Sequence, residues 1–363
     1  MTEAGAVDRV GVTLISGYLG AGKTTLLRRL VADPQFGPRL ALLINDVGEL
    51  GLDPELVRSA GTAPTMRVTE LVSGCICCTL QGEFVTALRT LIRGEGLPRK
   101  PEYILIEPSG IARASELSFA INAIGNDEPV HTDAVITLVD AHNAARAFAE
   151  QPDLFVDQVR AADLIVINKA DLLTDPHARE AFEAWLRPLA PRANLLWTTQ
   201  AAIDPSLLFG QVDLQTADPL RPAGHTEVAH PAHRHMEGTG SPTVQEGITA
   251  VTLPVPMVVD RDRLEDFLDA QADRIFRIKG IVQARWLDAQ SPVNSSVPTL
   301  VQAVGDRVDI DRLPTTSPLC SAPRRLIFIG SEAALDRERL LGELAETAVD
   351  QPEAVDFRHK NRV

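Results

Sequence analysis

The residues Gly17-Tyr-Leu-Gly-Ala-Gly22-Lys23-Thr24 have the types and spacing that close a backbone around phosphate. Gly, four residues, Gly-Lys-Thr fits the phosphate-binding loop pattern, in which glycines let backbone N–H groups wrap phosphate oxygens. In this reading Gly20, Ala21 and Gly22 line the cradle and Lys23 meets the β and γ phosphates. The Thr24 hydroxyl holds Mg²⁺, and Thr25 completes the loop's nucleotide-binding set.

Three further segments carry groups suited to the same chemistry. Asn168-Lys169-Ala170-Asp171 follows an apolar run, and an Asp here accepts hydrogen bonds from the N1–H and 2-amino group of guanine. Downstream of a phosphate loop it favours GTP over ATP; taken alone, the tetrapeptide is usually a helix cap, with Asp171 starting the next turn. Ile104-Leu-Ile-Glu107-Pro-Ser-Gly110 puts Glu107 at a strand end, where a carboxylate serves Mg²⁺ or senses the γ-phosphate beside the Gly110 backbone. Asn45-Asp46-Val-Gly-Glu49 is a second acidic turn, so Lys23, Asp46 and Glu107 form the expected catalytic set.

Gly74-Cys75-Ile-Cys77-Cys78 places three of the chain's four cysteines within four residues. A disulfide framework would spread them; clustered thiolates suit Zn²⁺ or a similar ion. A closed structural zinc site wants four ligands in paired units, so the cluster reads as an open, transferable site. The competing reading is three small residues packed beside a sheet. His225, His230, His233 and His235 form an auxiliary candidate set of metal ligands, or equally are linker histidines that hold no ligand.

These groups need elements to position them. From Val10 to about Leu208, apolar runs alternate with helical patterns: strands at Val12–Ile15, Leu40–Ile44, Tyr103–Ile106, Ala134–Val139, Leu164–Ile167 and Asn194–Trp197, helices at Lys23–Val31, Glu83–Ile92 and His177–Leu186. Such alternation predicts an α/β fold with a mostly parallel sheet whose ligands gather at the carboxyl ends of the strands. A Pro-, Gly- and His-rich stretch then separates a P-loop domain (1–210) from a smaller α+β domain (247–363), with 211–246 as the linker. In the second domain strands are expected at Ile248–Val255, Gly280–Leu287, Leu300–Val304 and Arg325–Ile329, and helices at Arg261–Ala270 and Glu332–Leu344.

Acidic residues outnumber basic ones 49 to 35, a formal net charge of −14, which would repel nucleic acid or an anionic membrane. Apolar runs fall far short of the ~18 residues of a membrane span, and the N-terminus lacks a secretory pattern, so the cytoplasm is the expected compartment.

With the motifs in order, the chain resembles the CobW-type metallochaperone GTPases, which include nitrile hydratase activators and zinc-transfer GTPases. The resemblance rests on Gly17–Thr25, Asn45–Glu49, Gly74–Cys78, Glu107–Gly110 and Asn168–Asp171, and extends to Arg277-Ile-Lys-Gly280. It implies a slow GTPase whose GTP and Mg²⁺ order the segments bearing Cys75, Cys77, Cys78 and Glu49. Zn²⁺ or Co²⁺ would bind there and pass to a client metalloprotein. Asp46 stands where the family often has Glu, and Ile44 where some members carry a further acid. Two rivals stand beside this reading: a P-loop ATPase or kinase with an incidental thiol site, and a non-enzymatic metal buffer. The client, the choice of metal and whether the chain forms a homodimer stay open.

Overall fold

A computed structural model describes residues 10–33, 40–44, 68–70, 80–97, 100–173, 175–203, 205, 208, 248–287, 296–305, 307–331 and 334–349. β1 (Val10–Ser16), β2 (Leu40–Ile44), β3 (Val68–Glu70), β4 (Tyr103–Glu107), β5 (Val130–Asp140), β6 (Leu164–Asn168) and β7 (Asn194–Trp197) form one sheet in the order β3-β2-β4-β1-β5-β6-β7. Every pairing within it is parallel. Parallel strands are covered on both faces, which is why β1, β2 and β6 are buried throughout.

The helices that cover them are α1 (Lys23–Ala32), α2 (Leu80–Arg93), α3 (Ala114–Ile124), α4 (Ala144–Glu150), α5 (Pro152–Arg160) and α6 (Pro176–Leu186). Val12 and Leu14 of β1 face Leu88 of α2 and Leu117 and Ile121 of α3. Ile15, Leu42, Leu105 and Ile136 share the opposite face with Leu26, Leu27 and Leu30 of α1. Each such side chain contributes about 1.5–3 kcal/mol by leaving water.

Three of these helices escape the sequence pattern. Phe119, 76% exposed, interrupts the apolar stripe of α3. α4 and α5 are 7 and 9 residues long, too short for a periodicity window of about 11.

The second domain holds β8 (Ile248–Pro254), β9 (Val258–Asp260), β10 (Ile275–Arg285), β11 (Ser296–Val304), β12 (Arg307–Arg312) and β13 (Arg325–Ser331). Five run antiparallel in the order β12-β11-β10-β13-β8, and β9 pairs in parallel with β10. α7 (Arg261–Gln271) and α8 (Arg337–Ala345) cover one face through Leu264, Leu268, Leu340 and Leu344. Its other face, through Phe276, Ile281, Leu300 and Ile327, joins the first domain's core beneath α1.

β3, β9 and β12 were not expected, β5 begins at Val130 rather than Ala134 and β11 at Ser296 rather than Leu300, and two further boundaries differ for visible reasons. β10 begins at Ile275, five residues before Gly280, because Arg277 is buried in it rather than exposed. α8 begins at Arg337, where Asp336 accepts from the N–H groups of Glu338 and Arg339 as its N-cap. Among the described residues no helix is long and apolar enough to cross a membrane.

Candidate nucleotide site

β1 lies between β4 and β5, so the order of strands reverses at its carboxyl end and leaves a crevice there. The phosphate loop fills that crevice and leads into α1. Gly22 caps the helix at φ 108°, a left-handed conformation that favours glycine, and no side chain bonds the N–H groups of the first turn from the cap position. A Cβ on Gly22 would also lie 2.3 Å from Nδ2 of Asn168. The result is an uncapped helix N-terminus, the arrangement that binds phosphate. Gly20 and Thr25 are exposed and Ala21 is buried. Lys23 is 8% exposed, and its ammonium donates to the carbonyls of Gly17 (2.9 Å) and Tyr18 (3.3 Å), which holds the charge across the mouth of the loop.

Glu107, 6% exposed at the end of β4, accepts a hydrogen bond of 3.0 Å from Thr24 Oγ1. A hydroxyl and a carboxylate at the mouth of a phosphate loop are hard oxygen donors, the set that Mg²⁺ takes. Beyond Glu107 the chain crosses the loop so closely that a Cβ on Gly110 would lie 2.8 Å from Leu19 N. Gln158 of α5, 2% exposed, fixes this crossing by donating Nε2 to the carbonyls of Gly110 (3.0 Å) and Ala112 (3.1 Å). Asp157 accepts from both the N–H and the hydroxyl of Ser115. No sequence signal singles out Gln158, since it sits in a helix that the pattern did not reveal.

The ends of β5, β6 and β7 supply the other wall. Asn168 is buried, with its amide donating to Ala21 O (2.9 Å) and its carbonyl accepting from Ala201 N (2.8 Å). One side chain therefore ties the phosphate loop to Thr198–Ala202, a segment the sequence reading missed although Thr-Thr-Gln directly follows an apolar strand. Lys169 takes a left-handed backbone, φ 62°, and Ala170 N then reaches Thr198 O at 3.0 Å. Asp171 is exposed in the following 3-10 turn.

Asp140, at the end of β5, was also missed. Burial pushes its carboxyl up, but hydrogen bonds from Asn143 and Lys169 outweigh that and hold it below the usual carboxylate range. The signal was present as Asp-x-x-Asn directly after a buried strand, an Asx-turn pattern.

The structure thus brings Gly20–Thr25, Glu107, Gly110 and Asn168–Asp171 to one edge of one sheet. Asp46, Glu49, Cys75, Cys77, Cys78, His225, His230, His233 and His235 lie outside the described residues. Among the described residues no group of three His, Cys, Asp or Glu side chains could hold a metal ion.

Two domain matches cover most of the chain. Residues 11–196 match the CobW/HypB/UreG nucleotide-binding domain, and residues 248–348 match the cobalamin synthesis protein CobW C-terminal domain. A Sinorhizobium protein named zinc chaperone CobW is 29% identical over 333 residues, which is 85% of this chain and 89% of that one. A Pseudomonas aeruginosa protein of the same name is 37% identical over 191 residues, 46% of this chain and 50% of that one. The Zn(II)-bound YjiA GTPase from E. coli is similar in structure over 94% of this chain and 99% of its own, at 24% identity and a TM-score of 0.43.

Proposed function

The chain belongs to the CobW/HypB/UreG family, and on that premise we propose that it is a GTP-hydrolysing metallochaperone. It binds a transition metal, zinc or cobalt, and delivers it to a client metalloprotein or cofactor pathway, with GTP binding and hydrolysis gating loading and release. The observation that carries the nucleotide part is the Asn168 amide, bonded to Ala21 O on one side and Ala201 N on the other. It makes the phosphate cradle and the base-recognition loop one site. The relatives named zinc chaperones favour zinc as the cargo.

Backbone N–H groups of Gly20 to Thr25 and the Lys23 ammonium meet the β and γ phosphates, where negative charge shifts as the terminal phosphoanhydride breaks. Thr24 and Glu107 would hold Mg²⁺, which when bound neutralises phosphate charge. Asp46 and Glu107 serve that ion or orient the attacking water, and the products are GDP and phosphate. Asp171 accepts from the guanine N1–H and 2-amino group. Cys75, Cys77 and Cys78 with Glu49 hold the cargo metal, in the cytoplasm, where thiols stay reduced.

The test is metal affinity in two nucleotide states. Competition with a chromogenic chelator should show Zn²⁺ bound about 5- to 150-fold more tightly with a non-hydrolysable GTP analogue than with GDP, the usual range of such couplings. Equal affinities would remove the gating mechanism and leave a GTPase with an adjoining metal site.

A further inference from the structure

Asp140 is built into the base-recognition loop from the neighbouring strand. β5 and β6 pair in register through Asp140 and Asn168, and Ala141 N continues the ladder by donating to Asn168 O at 2.9 Å. Residues 141 and 169 therefore leave the sheet side by side. The Asp140 carboxylate fills the gap between them. Its Oδ1 accepts from His142 N (3.0 Å) and Asn143 N (3.1 Å), and its Oδ2 from Asn143 Nδ2 (2.9 Å) and Lys169 Nζ (2.6 Å). Four donors use both oxygens, and the Asp140 side chain is only 9% exposed.

Lys169 is where this matters. Its φ of 62° is a conformation that side chains other than glycine adopt at a cost, and it turns the chain so that Asp171 emerges at the nucleotide edge. Something must hold a lysine in that state. The ion pair to Asp140 does so from the far end of the side chain, and Ala170 N to Thr198 O does so from the backbone.

Resting on the reading of Asn168–Asp171 as the guanine-binding loop, we propose that Asp140 is a positioning residue for nucleotide specificity. Through Lys169 it fixes the loop that presents Asp171, and so sets the preference for guanine over adenine. The hydrogen bonds from Asn143 and Lys169 hold the Asp140 carboxyl below the usual carboxylate range, which favours its charged form.

Asp140→Asn separates this role from simple helix capping, because the amide oxygen still accepts from His142 N and Asn143 N while the charge that holds Lys169 is gone. Affinities for fluorescent GDP and ADP are measured on the full chain and on Asp140→Asn, Asp140→Glu and Asn143→Ala. The expected result is a fall of about tenfold in the GDP-to-ADP affinity ratio for Asp140→Asn, as for one charge-assisted contact, with ADP affinity and melting temperature little changed. Asp140→Glu should recover part of the ratio, and Asn143→Ala, which leaves the ion pair in place, should keep all of it. An Asp140→Asn protein with the original ratio overturns the proposal alone. A starting chain that binds ADP as well as GDP overturns the guanine assignment and this inference with it. If Asp140→Asn unfolds, Lys169→Arg and Lys169→Met decide: the arginine variant must keep the ratio and the methionine variant must lose it.

Discussion

Arg277 of β10 donates to Asp133 of β5 at 2.5 Å across the contact between the two domains, with side-chain exposures of 1% and 4%. A second bond from the same guanidinium reaches Leu208 O at 3.2 Å. Burial pushes the Asp133 carboxyl up, but Arg277, with His131 and Lys279 nearby, outweighs it and holds the carboxyl well below the usual range. A carboxyl lowered in the folded chain stabilises it fully above the unfolded value of about 3.9, and that stability drains away as the pH falls below it.

Arg277→Met should therefore destabilise the chain by about 3–5 kcal/mol at neutral pH, because it strands the Asp133 carboxylate in the interface. The deficit should shrink as the pH falls from neutral, because without Arg277 burial raises the Asp133 carboxyl of the variant, and its protonation relieves the buried charge. Urea unfolding midpoints for both proteins between pH 3 and 7 read this out, and a deficit constant with pH would mean that the pair is not held as described.

Lys23→Ala should weaken GTP about 10- to 150-fold, the effect of losing one charged contact of about 1.5–3 kcal/mol. Calorimetric titration with GTP measures it. Unchanged affinity would remove Lys23 from the phosphate site.

Asp171→Asn should lower GTP affinity and raise that for xanthosine triphosphate, because the amide presents a donor where guanine also presents one. Asp171 is exposed, so the exchange leaves the fold intact. The ratio of the two affinities is the quantity to follow, and a ratio that does not move would place the base elsewhere.

The Cys77→Ser, Cys78→Ser double variant should bind GTP normally yet lose the dependence of Zn²⁺ affinity on nucleotide. Reciprocity sharpens this: whatever factor GTP gives to metal, metal must give to GTP. Fluorescent nucleotide binding with and without Zn²⁺ checks the second half, and a retained response would assign the cargo to other ligands.

The phosphate loop and the strand-end motifs were legible because each pairs a short apolar run with residues of narrow purpose. Gly22 tolerates no side chain, and Asn168 follows four buried residues. Asp140 and Thr198–Ala202 left only strand-end signals that do not name their partners, and Gln158 left none. They act through side-chain and backbone bonds to residues far away in sequence, such as Gln158 to Gly110 across 48 positions. Local pattern carries no trace of such a partner. Arg277 shows the same blindness in reverse, since a charged residue reads as exposed until its buried partner is known.

The face of the first sheet that carries Ile136, Leu138 and Val166 shares one core with Phe276, Ile281 and Ile327 of the second domain. During synthesis the first domain thus leaves the ribosome with part of that face bare, and it stays bare until residues beyond 327 have been added. At roughly 5–20 residues per second this is an interval of several seconds or more, counted from the completion of β7 at Trp197. In that window the nascent chain carries an apolar sheet face open to water, the state in which a partly made chain is prone to aggregate.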